Sequence, residues 1–147
     1  RACRCDDRAL ERHARRLSGP LLDRFDILVE AVRPSADELA SPSTRDTASV
    51  RQGVVAARKM AGTRWLGTDV VVNAEAPERL LVERGEYTAE ALSHLDLAYE
   101  RGLVGPRGRV RLLRVARTMA DLAGERAVPG EAVLDALSLR LRSGVNP

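Results

Sequence analysis

The chain has 147 residues, of which 44% are hydrophobic and 31% charged, with a net charge of +3. That length gives one domain or two small halves with a modest core, and the composition is too apolar for a disordered chain. Uncharged apolar runs such as 70–72 and 112–113 fall far short of the ~20 residues of a membrane span; two cysteines cannot staple a disulfide scaffold, and 3% aromatic content excludes base-stacking platforms.

Lys59 is the single lysine among 24 basic residues. A GC-rich coding sequence produces that bias without any functional reason, and a pI of about 9.4 permits contact with nucleic acid or nucleotides without showing it. No charged-then-apolar leader opens the chain, and its first residue is arginine. The expectation is a cytoplasmic fragment of a longer protein.

From Asp7 to Arg16 nothing breaks a helix, and Leu10 and Ala14 share one face. Ser18-Gly19-Pro20 stops it, and 21–25 reads as a short helical turn. Residues 26–32, Asp-Ile-Leu-Val-Glu-Ala-Val, have the β-branched content of a buried strand. Two prolines and three serines in 34–43 mark a linker.

Beyond the linker the pattern is helical. Val50, Val54, Ala57 and Ala61 form an inward stripe over 47–61, and 62–73 reads as loop. A short helix follows Pro77 and ends at Gly85. Thr88 is the expected cap of a helix whose Leu92, Leu95 and Tyr99 turn inward before Gly102. Another helix spans 107–123 and ends at Gly124, and Pro129 opens the last, with Val133, Leu134, Leu137 and Leu141 inward.

The 107–123 helix carries the chemistry. Relative to Arg114, Arg107 lies about 20° and Arg111 about 60° around the axis, while Leu112, Val115, Ala116, Met119 and Ala123 fall on the far side. A row of arginines opposite an apolar face suits the paired oxygens of a phosphate or carboxylate. It is equally a solvated face with Arg117 paired to Asp121 four residues on, worth ~0.3–0.5 kcal/mol. Periodicity leaves both open.

Two motifs resemble one family. Arg16 to Ile27, reading RLSGPLLDRFDI, is similar to the segment near the end of the ATPase core of magnesium-chelatase-like AAA+ proteins, closest to their ComM/YifB branch. Arg111 to Gly124, RLLRVARTMADLAG, resembles the signature of that family's C-terminal domain, and 136–140 resembles its closing helix. Between 34 and 104 only Asn73-Ala74 adds a local match.

The resemblance implies roles. Arg24 matches the arginine finger, which acts in trans on the neighbouring subunit's nucleotide, with 18–20 as the turn that aims it. Arg114 matches the sensor-2 arginine that reads the γ-phosphate. Arg107 matches the arginine of a Ser-Ala-Arg opening, although Gly105 and Pro106 stand where Ser and Ala are usual, and Arg109 and Val110 replace an aromatic residue and a histidine. Cys3 and Cys5 resemble the second half of a four-cysteine cluster whose first pair is absent. With His13 they leave a tetrahedral zinc site incomplete, so no metal site is expected.

The sequence has no Gly-x-x-x-x-Gly-Lys-Ser/Thr loop and no paired acids ending a strand, and His13 and His94 have no nucleophile partner in a recognisable motif. This piece is therefore expected to be inactive alone. The expected fold is mainly α: the end of an AAA+ core at 1–33 (helix, finger turn, last strand), a linker at 34–46, and a helical lid at 47–147. The resemblance implies ATP and Mg²⁺ in the full-length enzyme, a homo-oligomeric ring of six subunits, and DNA remodelling of the branch-migration type, with no membrane partner. The alternatives are a chelatase subunit in tetrapyrrole metal insertion, a free-standing nucleic-acid module using Arg107, Arg111, Arg114 and Arg117, and a protein-interaction bundle without an anionic ligand.

Overall fold

In a computed structural model of the chain, residues 5–16, 21, 24–29, 31–42 and 45–140 are described. Among them are seven α-helices: α1 (Asp7–Arg16), α2 (Ala36–Ala40), α3 (Thr47–Arg64), α4 (Glu78–Arg84), α5 (Ala89–Glu100), α6 (Pro106–Ala123) and α7 (Gly130–Ser138), with a 3₁₀ turn at Asn73–Glu75. The mainly α expectation holds.

Local chemistry sets the helix ends. Asp46 caps α3 by accepting from the Ser49 N–H at 2.7 Å, which also holds the Asp46 carboxyl below the usual carboxylate range. Thr88 caps α5 through the Ala91 N–H at 3.1 Å. Pro77 precedes α4 and Gly85 ends it, both as expected. At the end of α6, Gly124 adopts the left-handed conformation (φ 75°), which lets the Glu125 N–H reach back to the Ala120 carbonyl at 2.8 Å.

Helix α6 is the hub. It packs against α3, α4, α5, α7 and the 3₁₀ turn, and α5 packs on α7. Leu112, Leu113 and Ala116 of α6 are fully buried with Trp65, Leu81, Leu95, Val128 and Val133. The loops before α5 and α7 meet at one parallel bridge, Tyr87 with Val128, where the Val128 N–H donates to Glu86 and the Thr88 N–H to Val128. Burial pushes the Tyr87 phenol well above its ordinary value, so it stays protonated and donates to the Leu113 carbonyl at 2.8 Å.

Several expectations need correction. Of the 26–32 segment, none of the described residues (26–29, 31 and 32) lies in a strand: Ile27, Val29 and Val32 are exposed, and the Leu28 N–H donates to Leu139 at 2.7 Å instead of to a neighbouring strand. β-branched residues favour a pleated surface only where a partner strand completes the ladder, and the described residues supply none. The 34–43 stretch holds a short helix, α2, fixed by a capping box between Ser35 and Glu38 and burying nothing. In α3, Ala57 and Ala61 are buried but Val50 and Val54 are exposed, and the helix runs on to Arg64. Tyr99 and Leu134 face solvent, their inward places taken by Ala98 and Ala136. Leu141 lies outside the described residues, and of the 21–25 turn only residues 21, 24 and 25 lie within them.

Truncating the hub is expected to be costly. Leu112→Ala should lose about 2–5 kcal/mol, whereas Val50→Ala on the exposed half of α3 should stay within about 0.5 kcal/mol, read from urea midpoints by circular dichroism.

Candidate functional site

The five arginines of α6 have different fates. Arg107, at the first turn, is exposed and has no side-chain partner among the described residues. Arg109 is held by Glu78 of α4 and, at 3.2 Å, by Asp96 of α5. Arg111 pairs through Nε with Asp26 at 3.1 Å, and its Nη1 is buried without a partner. Arg114, half-buried, donates Nε–H to the Ala76 carbonyl at 3.0 Å and forms no ion pair among the described residues. Arg117 is completely buried.

Arg117 overturns the reading of an exposed arginine row. Its Nη1 donates to the carbonyls of Gly85 and Arg126, both at 2.8 Å, and its Nη2 to that of Glu125 at 2.7 Å. Nη2 also lies 3.1 Å from Asp121. That carboxylate is itself buried and receives Arg64 through both oxygens, at 2.5 and 2.9 Å. Asn73 completes the cluster: its Nδ2 donates to Asp121 at 2.8 Å and to Thr118 at 3.1 Å, and its Oδ1 accepts the Trp65 indole N–H at 3.0 Å. Burial lowers the Arg117 pKa while Asp121 opposes the shift.

The Arg117–Asp121 contact is thus an internal strut. Of the four arginines in the nucleic-acid alternative, Arg117 is inaccessible and Arg111 is committed to Asp26, which leaves Arg107 and Arg114. Nothing in the apolar periodicity revealed this cluster, because a buried ion pair occupies core positions with the least hydrophobic residues available. The i,i+4 spacing gave the Arg117–Asp121 pair but not its burial, and the Asn73-Ala74 match was the further local signal.

The other candidate arginine is placed differently. Arg24 is exposed in a turn, its backbone N–H bonded to Leu21 at 2.9 Å, and its side chain has no partner among the described residues. Asp26, two residues on, carries Arg111, so the structure brings the 24–28 segment onto α6 but forms no contact between Arg24 and Arg114. Cys5 is exposed and free; Cys3 and the side chain of His13 lie outside the described residues, as do 18–20. Among the described residues no three His, Cys, Asp or Glu side chains converge as metal ligands. No helix there is long and apolar enough to cross a membrane.

A groove of about 770 Å³ between α3 and α4 includes Ala56, Lys59, Met60, Arg64, Glu86 and Arg126 in its lining. Its three arginines have described partners: Arg64 on buried Asp121, Arg84 on the Leu66 carbonyl at 3.1 Å, and the exposed Arg126 on Glu86 at 3.0 Å. It contains none of the candidate arginines.

A small α-helical domain built around one arginine-bearing helix, with an N-terminal segment fastened to it, is the class of protein these observations define. Residues 44–140 match the family described as magnesium chelatase, subunit ChlI C-terminal, and residues 1–39 match magnesium chelatase, subunit ChlI. The chain belongs to the magnesium chelatase ChlI-like family and represents its C-terminal region. It is 40% identical over 139 residues to Uncharacterized protein Rv2897c of Mycobacterium tuberculosis, covering 94% of this chain and 27% of that protein. Competence protein ComM of Haemophilus influenzae is 30% identical over 142 residues, covering 93% of this chain and 26% of ComM. YifB of Escherichia coli is 31% identical over 150 residues, covering 93% and 27%. The chain therefore spans about a quarter of the length of these relatives.

Removing the shared carboxylate strands two buried guanidinium groups. Asp121→Ala is expected to lose about 3–5 kcal/mol, and Arg107→Ala less than about 0.5 kcal/mol, in paired denaturant titrations.

Proposed function

We propose that this chain is the C-terminal portion of an AAA+ ATPase, in which residues 1–33 close the ATPase core, 34–46 link, and 47–147 form the helical lid. ATP and Mg²⁺ would be held mainly by residues outside it. The lid converts nucleotide state into subunit movement within a homo-oligomeric ring, of six subunits by family resemblance, and the ring remodels DNA. The match of a competence protein, ComM, to nearly the whole chain favours DNA over tetrapyrrole metal insertion.

One observation carries the reading: Arg114 is oriented but uncommitted. Its neighbours Arg109, Arg111 and Arg117 each spend their charge on a carboxylate. Arg114 is fixed only through Nε to a neutral carbonyl, and its Nη groups, which form the fork suited to two phosphate oxygens, make no hydrogen bond among the described residues. Such a group loses little freedom on meeting a phosphate and surrenders no ion pair to do so. In this role it reports whether a γ-phosphate is present.

Arg24 supplies the complementary half. An exposed guanidinium with no described partner fits a finger that completes the neighbouring subunit's site, where it opposes the negative charge that develops on the transferring phosphoryl group. Mg²⁺, when bound, would supply positive charge to the triphosphate; the described residues contribute no cluster of ligands for it.

In the full-length protein, Arg24→Ala should lower ATP turnover by about 10³-fold or more, and Arg114→Ala should lower it with weakened ATP binding, while far-UV circular dichroism stays unchanged. Wild-type rates in both variants would end this assignment. Branched DNA should accelerate ATP hydrolysis by the intact ring; no acceleration would favour the chelatase alternative.

A further inference from the structure

Among the described residues, three contacts tie the 25–28 segment to the lid. Phe25 gives its carbonyl to Arg140 Nη1 at 2.9 Å, Asp26 pairs with Arg111 at 3.1 Å, and the Leu28 N–H donates to the Leu139 carbonyl at 2.7 Å. Three of the four residues after Arg24 are thus tied to α6 or to the chain just past α7. Arg140 also passes close over the first turn of α6, with Nη2 3.5 Å from where a Gly108 Cβ would stand.

We propose that Arg111, through Asp26, is a positioning residue that fixes the Arg24 turn to the helix bearing Arg114. This rests on the reading of Arg24 and Arg114 given above. Arg111 and Arg114 are three residues apart, neighbours on one helical surface. Any shift of α6 as Arg114 gains or loses a phosphate therefore moves Arg111, and with it Asp26 and the finger two residues before it. The nucleotide bound by one subunit thereby sets where that subunit aims its finger into the next.

The pair is suited to this. The Arg111 side chain is only 18% exposed and its Nη1 is buried without a partner, so Asp26 is its sole described counter-charge. Losing that carboxylate leaves a largely buried cation unopposed, which disfavours release of the turn. An ordinary surface pair, with both side chains in water, lacks that constraint.

The test uses the full-length protein and compares Arg111→Glu, Asp26→Asn and the exchanged pair Arg111→Glu/Asp26→Arg, with Arg24→Ala as reference. Misplacing a catalytic group by about 1 Å costs on the order of 10²-fold, so Arg111→Glu should lower kcat by about that factor while KM for ATP moves less than about twofold. Asp26→Asn, which adds no repulsion, should show the same split to a smaller degree. The exchanged pair should recover kcat to within a few-fold. A merely destabilised lid would disturb Arg114 as well and raise KM together with the loss in kcat; that result overturns the proposal. So does an unchanged kcat in Arg111→Glu, or an exchanged pair no better than the single variant. In each of these cases an inactive Arg24→Ala leaves the finger itself standing. Normal turnover in Arg24→Ala instead removes the finger reading and this inference with it.

Discussion

One buried carboxylate organises the domain. Asp121 accepts from Arg64 on α3, from Arg117 on its own helix and from Asn73 in the 3₁₀ turn, so three separate stretches of chain converge on two oxygen atoms. Arg117 then extends the cluster to the carbonyls of residues 85, 125 and 126, pinning the turns that precede α5 and α7. Burying charge is expensive, and this cluster places two cations against one anion. It is tolerable because every oxygen of Asp121 is occupied and most donors of Arg117 find acceptors; only Arg117 Nε is left without one. Such a cluster specifies register more than it adds stability: shifting α6 by one residue would strand several buried charges at once.

That rigidity makes the position of Arg114 meaningful. It lies three residues before Arg117 and takes its own bond from Ala76, which directly follows the 3₁₀ turn that carries Asn73. The strut that fixes Asn73 to Asp121 therefore also fixes the acceptor that orients Arg114. A guanidinium held through Nε on an acceptor that is itself fixed has its orientation set by the fold, and in the proposed role such preorganised charge needs little rearrangement.

The helix boundaries were legible because short-range chemistry determines them. Pro77, Gly85, Thr88 and Gly124 act within a turn of where they stand, and each marks the helix end expected of it. Legibility failed where a residue's environment comes from distant chain. Val50 and Val54 read as core, yet α3 finds neighbours only from about Ala57 onward. Residues 26–32 have strand composition but no ladder to join. Arg117 and Asp121 read as a surface pair because charge at an i,i+4 spacing lies on the surface in most helices. Their burial depends on Arg64 and Asn73, 57 and 48 residues from Asp121, which no local pattern reports. For the proposed site, Arg24 and Arg114 came from the family resemblance; the structure adds that Arg114 is held only through the Ala76 carbonyl, while Arg24, like Arg107, has no side-chain partner among the described residues.

Those partners also bear on why the chain is so poor in lysine. Coding bias would be enough for exposed pairs such as Arg79 with Glu83, where an ammonium would serve equally. It does not account for Arg117, which reaches four acceptors from two nitrogens on a planar fork. A lysine offers three donors from a single nitrogen and cannot span the same carbonyls. Nor does it account for Arg64, whose two nitrogens meet both oxygens of Asp121 in parallel. At these two positions the fork is a geometric requirement. Arg114 meets the same criterion from the other direction: with Nε engaged on the Ala76 carbonyl, only a guanidinium still has a pair of coplanar N–H groups, and these make no hydrogen bond among the described residues.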